Sequence, residues 1–191
     1  MTAAGALRVR RGDTSLVVID VQERLASAMP TAAFDELVRN ALRLLAAAGR
    51  MSLPVALSEQ YPTGLGRTVP VLREAVARLS PPALFIEKQA FSLADEPLFQ
   101  RFLGTGPKTL VVLGMEAHVC VFQTVRALCE RGFSVHVPVD AVTSRAEANR
   151  AIGLALCERA GAVPTSTETI LFDLLERAGT DDFKALSKLV K

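Results

Sequence analysis

Five runs of the chain are dense in Val, Leu and Ile: Ser15 to Asp20, Pro54 to Glu59, Ala83 to Lys88, Thr109 to Met115 and Phe133 to Asp140. Short, continuous apolar runs of this kind suit strands buried on both faces. Ala162 to Ser166 is a weaker sixth candidate. Between the first two runs, Phe34, Leu37, Val38, Ala41, Leu42 and Leu45 recur at helical spacing, and Gly49 is placed to cap that helix. Ser144 with Glu147, and Thr165 with Glu168, are spaced as capping boxes ahead of apolar runs. Gly132 is placed to close a helix that begins near Cys120. Strands that alternate with helices imply right-handed crossovers and a mostly parallel sheet with helices on both faces, in which ligands collect at the carboxyl ends of the strands. Glu59 to Thr68, with Tyr61, Pro62, Gly64 and Gly66, reads as a loop placed to form a rim or lid there.

Composition narrows the picture. A chain of 191 residues, half of them hydrophobic, suffices for one well-buried domain and is short for two. Residues 1–13 begin with a basic stretch that lacks a long apolar core and read as a tail, leaving 14–191 as one domain. The net charge is +2, and Lys and Arg are spread along the chain, so neither a nucleic-acid nor a membrane-surface footprint emerges and the expected partner is a small molecule. No run approaches the roughly 20 apolar residues of a membrane span. Three cysteines without regular spacing or a secretory leader fit a reducing compartment, which places the protein in the cytoplasm. Two histidines far apart make no persuasive metal site, and no cofactor is called for.

The candidate chemistry lies at three strand ends, in Asp20, Lys88 and Cys120. Each has an ordinary explanation when taken alone. An Asp that closes a strand is commonly a cap or turn former, a Lys can simply turn out to solvent, and a free Cys is often inert core. Together they place a base, a cation and a nucleophile on one edge. Cys120 at a strand-to-helix turn meets the positive end of a helix dipole, and with Lys88 nearby this is expected to raise its thiolate fraction. Cys129 and Cys157 read as core, and His136 reads as a satisfied strand histidine. Gln22, Gln60, Tyr61, Gln89, Phe91 and His118 lie near the same edge as candidate substrate-binding residues. The two glutamines could hydrogen-bond an amide or carboxylate, and Tyr61 and Phe91 could cover a compact apolar group. His118, two residues from Cys120, points to another side and is expected to be a pocket wall or structural residue.

Val17-Val18-Ile19-Asp20-Val21-Gln22, Phe85-Ile86-Glu87-Lys88-Gln89-Ala90-Phe91-Ser92 and Gly114-Met115-Glu116-Ala117-His118-Val119-Cys120 resemble, in order and spacing, the three signature segments of the isochorismatase-like cysteine hydrolase superfamily. The similarity runs from about Thr14 to about Glu176. It implies a Rossmann-like three-layer α/β/α sandwich with a six-stranded sheet, a catalytic triad of Asp20, Lys88 and Cys120, and a homo-oligomer. It also implies a cis peptide between Met115 and Glu116 and an oxyanion hole formed by the Glu116 and Cys120 amides. Nicotinamidases of the superfamily hold a metal with an Asp and two His near the second strand, where this chain has Ser58-Glu59-Gln60-Tyr61-Pro62. True isochorismatases cleave a vinyl ether and can lack the cysteine, so Cys120 favours acyl chemistry. The chain is most similar to the isochorismatase-domain-containing subgroup. The resulting expectation is a cysteine hydrolase that cleaves a small amide-like C–N bond through a thioester. The alternatives are a vinyl ether hydrolase and a non-catalytic scaffold of the same fold.

Overall fold

The computed structural model describes residues 7–190. Seven strands form one sheet in which every pairing is parallel: β1 Thr14–Ile19, β2 Val55–Gln60, β3 Leu84–Lys88, β4 Thr109–Met115, β5 Ser134–Pro138, β6 Val142–Thr143 and β7 Val163–Thr165. Their order is β3-β2-β1-β4-β5-β7, with β6 also paired to β4. The helices are α1 Glu23–Ala26, α2 Thr31–Met51, α3 Pro62–Leu65, α4 Pro70–Ala77, α5 Pro97–Leu103, α6 Phe122–Glu130, α7 Glu147–Arg159, α8 Thr167–Leu175 and α9 Asp181–Leu186. Every residue of β1, β2 and β4 is buried, which requires cover on both faces and accounts for the apolar runs at residues 16–19, 55–57 and 110–113. On one side α2 packs with α4, α8 and α9, and elsewhere α6 packs with α7, all around one continuous apolar core. The sheet order reverses between β1 and β4, the point in an open α/β sheet where a crevice opens beyond the strand ends.

The sheet has one strand more than the six expected. The fifth apolar run does not continue as a single strand to Asp140. It ends at Pro138, which cannot donate to a ladder, and one 3₁₀ turn at Val139–Ala141 redirects the chain. β6 then pairs with Gly114 and Met115, so β5 and β6 share one edge of β4 in succession.

Three helix ends also differ from expectation. Helix α2 runs through Gly49 to Met51 and is closed by Ser52 in the left-handed conformation. Gly49 instead permits close packing, since a Cβ there would lie 3.2 Å from Leu79 Cδ2. Helix α8 is capped by Ser166, whose side chain accepts the Thr169 N–H, because Thr165 is already committed to β7. Helix α7 starts after Ala146, and Ser144 is engaged elsewhere, as described below. Gly132 does close α6, at φ 83°, with its N–H donating to the Cys129 carbonyl. Residues 1–6 of the expected tail lie outside the described residues. Its remainder is held down: Val9 is buried and its N–H donates to Asp173, and Arg11 pairs with Asp182.

Two glycines set the approach of the elements that carry the site. Gly114, at φ 122°, lets β4 lie against β1, where a Cβ would fall 2.0 Å from the Ile19 carbonyl oxygen. Gly153 lets α7 rest on the turn that carries Cys120, where a Cβ would fall 2.5 Å from the Ala117 carbonyl carbon. Alanine normally outperforms glycine inside a helix by about 1 kcal/mol. Here the opposing atoms are backbone and cannot swing aside. Gly153→Ala is therefore expected to lower stability by about 1–3 kcal/mol and to disturb the Cys120 turn. A thermal melt equal to or above that of the native chain would show that this contact yields.

Candidate active site

Asp20 is the first residue past β1 and takes a left-handed conformation, φ 49°, which Asp tolerates better than most residues. Lys88 closes the edge strand β3, whose burial alternates: Phe85 and Glu87 face solvent, while Ile86 and Lys88 face inward. The period of two thus carries a lysine to the buried side. Cys120 lies in a single π-helical turn, Ala117–Val121, that leads into α6. Such turns recur at functional sites because they offset a side chain from the regular helical path.

Tertiary structure brings the three together. Lys88 Nζ donates to Asp20 Oδ2 at 2.7 Å, and neither side chain has any solvent exposure. The same ammonium meets Gln60 Oε1 at 2.7 Å and the carbonyls of Phe91 at 3.1 Å and Ala90 at 3.3 Å. Ser58 donates to the other Asp20 oxygen at 2.6 Å. A buried ion pair is tolerable when its remaining hydrogen-bonding capacity is satisfied in this way. Cys120, 6% exposed, interacts with both members of the pair through charge and side-chain hydrogen bonding.

The thiol does not behave as the dipole argument expects. Burial pushes it up to about 12 from an ordinary value of 9.0, and the Asp20 carboxylate adds to the rise while Lys88 opposes it. Cys120 therefore rests as a thiol beside a carboxylate. Desolvation outweighs the ammonium. No step in ultraviolet thiolate absorbance attributable to Cys120 is expected between about pH 7 and about pH 10, as judged against a Cys120→Ser variant. A step near or below about 8.5 would contradict this arrangement. Burial likewise raises Cys129 to about 11 and Cys157 to about 12. Because these folded values exceed the ordinary one, their contribution to stability is full below about pH 9 and is lost as pH rises towards 11–12.

The loop between β2 and α4 is pinned at its base. Gln22, fully buried, donates to the carbonyls of Gln60 at 3.0 Å and Gly66 at 2.7 Å and accepts the Gln60 N–H at 2.7 Å. Gln60 spends its amide on Lys88 and on the Gln89 carbonyl, 2.8 Å away. Gln22 thereby fastens the loop and Gln60 helps hold Lys88, so both glutamines have partners within the protein. Glu59 and Gln60 belong to β2 rather than to the loop, and Thr68 at its other end is fully buried. Burial would raise the Glu59 carboxyl, but the Thr68 N–H, Arg67 and the Thr68 hydroxyl together hold it below the usual range. Arg67 also contacts Glu87.

Among the other anticipated contacts, Tyr61, Gln89 and Phe91 are exposed, the two rings by 50% and 53%. His118 is half-buried, with Nδ1 3.1 Å from Ser144 Oγ. Ser144 Oγ also accepts the Ala117 N–H at 3.1 Å, and Glu116 Oε2 accepts the Arg145 N–H at 3.0 Å, so two bonds tie the cysteine turn to the start of α7. The Met115–Glu116 peptide is cis. Ser58 and Ser144 were missed in the sequence reading. Ser58 carried a signal, a hydroxyl where the β2 run turns from apolar to polar, whereas Ser144 was hidden by its resemblance to a cap.

A concavity of about 650 Å³ between α2, α4 and the carboxyl-terminal turn contains none of Asp20, Lys88 and Cys120, and its walls include Phe34, Val38, Leu42, Val69 and Leu189. Converging reactive groups, rather than volume, mark the candidate site. Among the described residues no three His, Cys, Asp or Glu side chains gather as metal ligands, and no helix is long and apolar enough to cross a membrane.

Known proteins share this arrangement of strands and segments. The chain is 36% identical over 186 residues to isochorismatase domain-containing protein 2 of Homo sapiens, covering 96% of this chain and 86% of the relative. A solved structure described as the MAR1 ribonuclease of Caenorhabditis elegans superposes with a TM-score of 0.88 at 37% identity, covering 96% of this chain and 92% of that one. YcaC of Pseudomonas aeruginosa, solved with hexane-2,5-diol and covalent acrylamide, superposes with a TM-score of 0.84 at 25% identity, covering 95% and 91%. The Isochorismatase domain model matches residues 14–169, the segment that holds all three strand ends and the turn between β4 and α6, and the chain belongs to the isochorismatase family.

Proposed function

We propose that the protein is a cysteine hydrolase that cleaves a compact, non-peptide, amide-like C–N bond through Asp20, Lys88 and Cys120. The observation that carries this reading is the buried Lys88–Asp20 pair, 2.7 Å apart, acting on the Cys120 thiol. Because the thiol rests protonated, Asp20 removes its proton as the sulfur attacks the carbonyl carbon, rather than awaiting a preformed thiolate. Lys88 and Ser58 each hold one oxygen of Asp20 and keep the carboxylate aimed. The Glu116 and Cys120 amides receive the developing oxyanion, where a donor is worth about 3–4 kcal/mol. Asp20 then protonates the departing amine, leaving a thioester, and activates the water that hydrolyses it. The thiol is restored with its proton. No cofactor takes part in this scheme.

Family membership supports hydrolysis in general, and the solved Pseudomonas aeruginosa neighbour carries covalent acrylamide, a small primary amide. We read the protein as a cytoplasmic homo-oligomer acting on a small molecule. The ribonuclease description of the Caenorhabditis elegans neighbour favours a second reading, RNA cleavage. The dispersed cations and net charge of +2 offer little to a polyphosphate backbone.

The test incubates the protein with primary amides, carbamoyl compounds, hydroxamates, vinyl ethers and a single-stranded RNA, and maps acrylamide adducts by peptide mass. Turnover of an amide-type compound, with the adduct on the peptide carrying Cys120, is the expected result. An adduct confined to Cys129 or Cys157, or turnover of RNA alone, would overturn the proposal.

A further inference from the structure

His118 and Ser144 form a unit that the scheme above does not use. Ser144 is 2% exposed, and its oxygen accepts the Ala117 N–H at 3.1 Å. Its hydroxyl proton has one acceptor within reach among the described residues, His118 Nδ1 at 3.1 Å. A hydroxyl carries a single proton, and an imidazole nitrogen that accepts it cannot also bear one. Where Ser144 donates that proton to Nδ1, neutral His118 carries its own on Nε2. That atom bonds to nothing among the described residues and is open to solvent. His118 lies in the same π-helical turn as Cys120, two residues before it.

We propose that Ser144 is a positioning residue that locks His118 in the Nε2–H tautomer, so that His118 donates a hydrogen bond to an oxygen acceptor of the substrate. The substrate class this favours carries a carbonyl or carboxylate oxygen beside the scissile bond. Only this last step rests on the hydrolase reading. The tautomer itself follows from Ala117, Ser144 and His118 alone. The lock also accounts for a buried serine where a helix cap is expected: its oxygen is needed at the cysteine turn instead of at α7.

Ring ¹⁵N–¹H correlation spectra of the native protein test the lock without any variant. The chain has two histidines, so His118→Gln assigns the signals. A single Nε2–H pattern is expected for His118. Ser144→Ala should convert it to interconverting tautomers, and Ser144→Thr should restore it. Acrylamide added to Cys120→Ala should shift the His118 Nε2–H signal, and Ser144→Ala should slow acrylamide addition to Cys120 about fivefold, with recovery in Ser144→Thr. A native Nδ1–H pattern, or an unchanged pattern in Ser144→Ala, overturns the lock. A lock that holds while acrylamide neither shifts the ring nor reacts more slowly overturns the donor role. Failure of the hydrolase reading shows separately, as no adduct on Cys120 in the native protein.

Discussion

Lys88→Met is expected to destabilise the fold by about 3–5 kcal/mol and to abolish hydrolysis. The substitution keeps the length of the side chain but removes the positive charge that lies 2.7 Å from a carboxylate with no solvent exposure. It also strips a donor from Gln60 and from the carbonyls of Ala90 and Phe91. Most of the loss comes from the Asp20 charge left uncompensated, rather than from the worth of the pair, because two desolvated ions roughly offset their own attraction. Lys88→Met combined with Asp20→Asn should therefore regain most of the stability while remaining inactive, since Asn fits the left-handed backbone at position 20 and can still accept from Ser58. Urea midpoints of the two single variants and the double variant make a thermodynamic cycle. A single Lys88→Met cost below about 1 kcal/mol would place the pair in the class of exposed, weakly coupled ions and contradict its burial.

Cys120→Ala is expected to lower turnover of any amide-type substrate by about 10⁴-fold or more while leaving the protein folded. Alanine suits a helical turn, and the change removes one buried sulfur atom without opening the Lys88–Asp20 pair. In the proposed scheme, what disappears is the atom that forms the acyl bond. Residual catalysis by the carboxylate and backbone amides cannot replace it. The same variant separates two chemistries on one scaffold. Cleavage of a vinyl ether needs a proton delivered to carbon and no thioester, so ether hydrolysis that persists in Cys120→Ala would reassign the site to Asp20 alone. Thermal melting within about 1 kcal/mol of native and loss of acrylamide labelling at residue 120 complete the expected picture.

The local patterns were informative about strands for a physical reason. β1, β2 and β4 are buried on both faces, so their central positions are apolar, and the run is visible without knowledge of its neighbours. Ends were less legible. Asp20 falls one residue beyond β1, and the fifth run splits at Pro138, because strand limits depend on which partner the chain meets. Helix caps failed where another element claimed the capping residue: Ser144 serves Ala117 and His118, and Thr165 serves β7.

The amino-acid order by itself determined the alternation of strand and helix, the carboxyl-terminal placement of Asp20, Lys88 and Cys120, and the segments shared with the family. Those properties are local, set by periodicity, turn chemistry and short motifs. Only the tertiary structure decided the burial that raises the Cys120 thiol, the hydrogen bonds of Gln22 and Gln60 at the base of the loop, and the pairing of His118 with Ser144. Charge and hydrogen-bond satisfaction depend on distance and on exclusion of water, and both are fixed by residues far apart along the chain that pack into the same few ångströms.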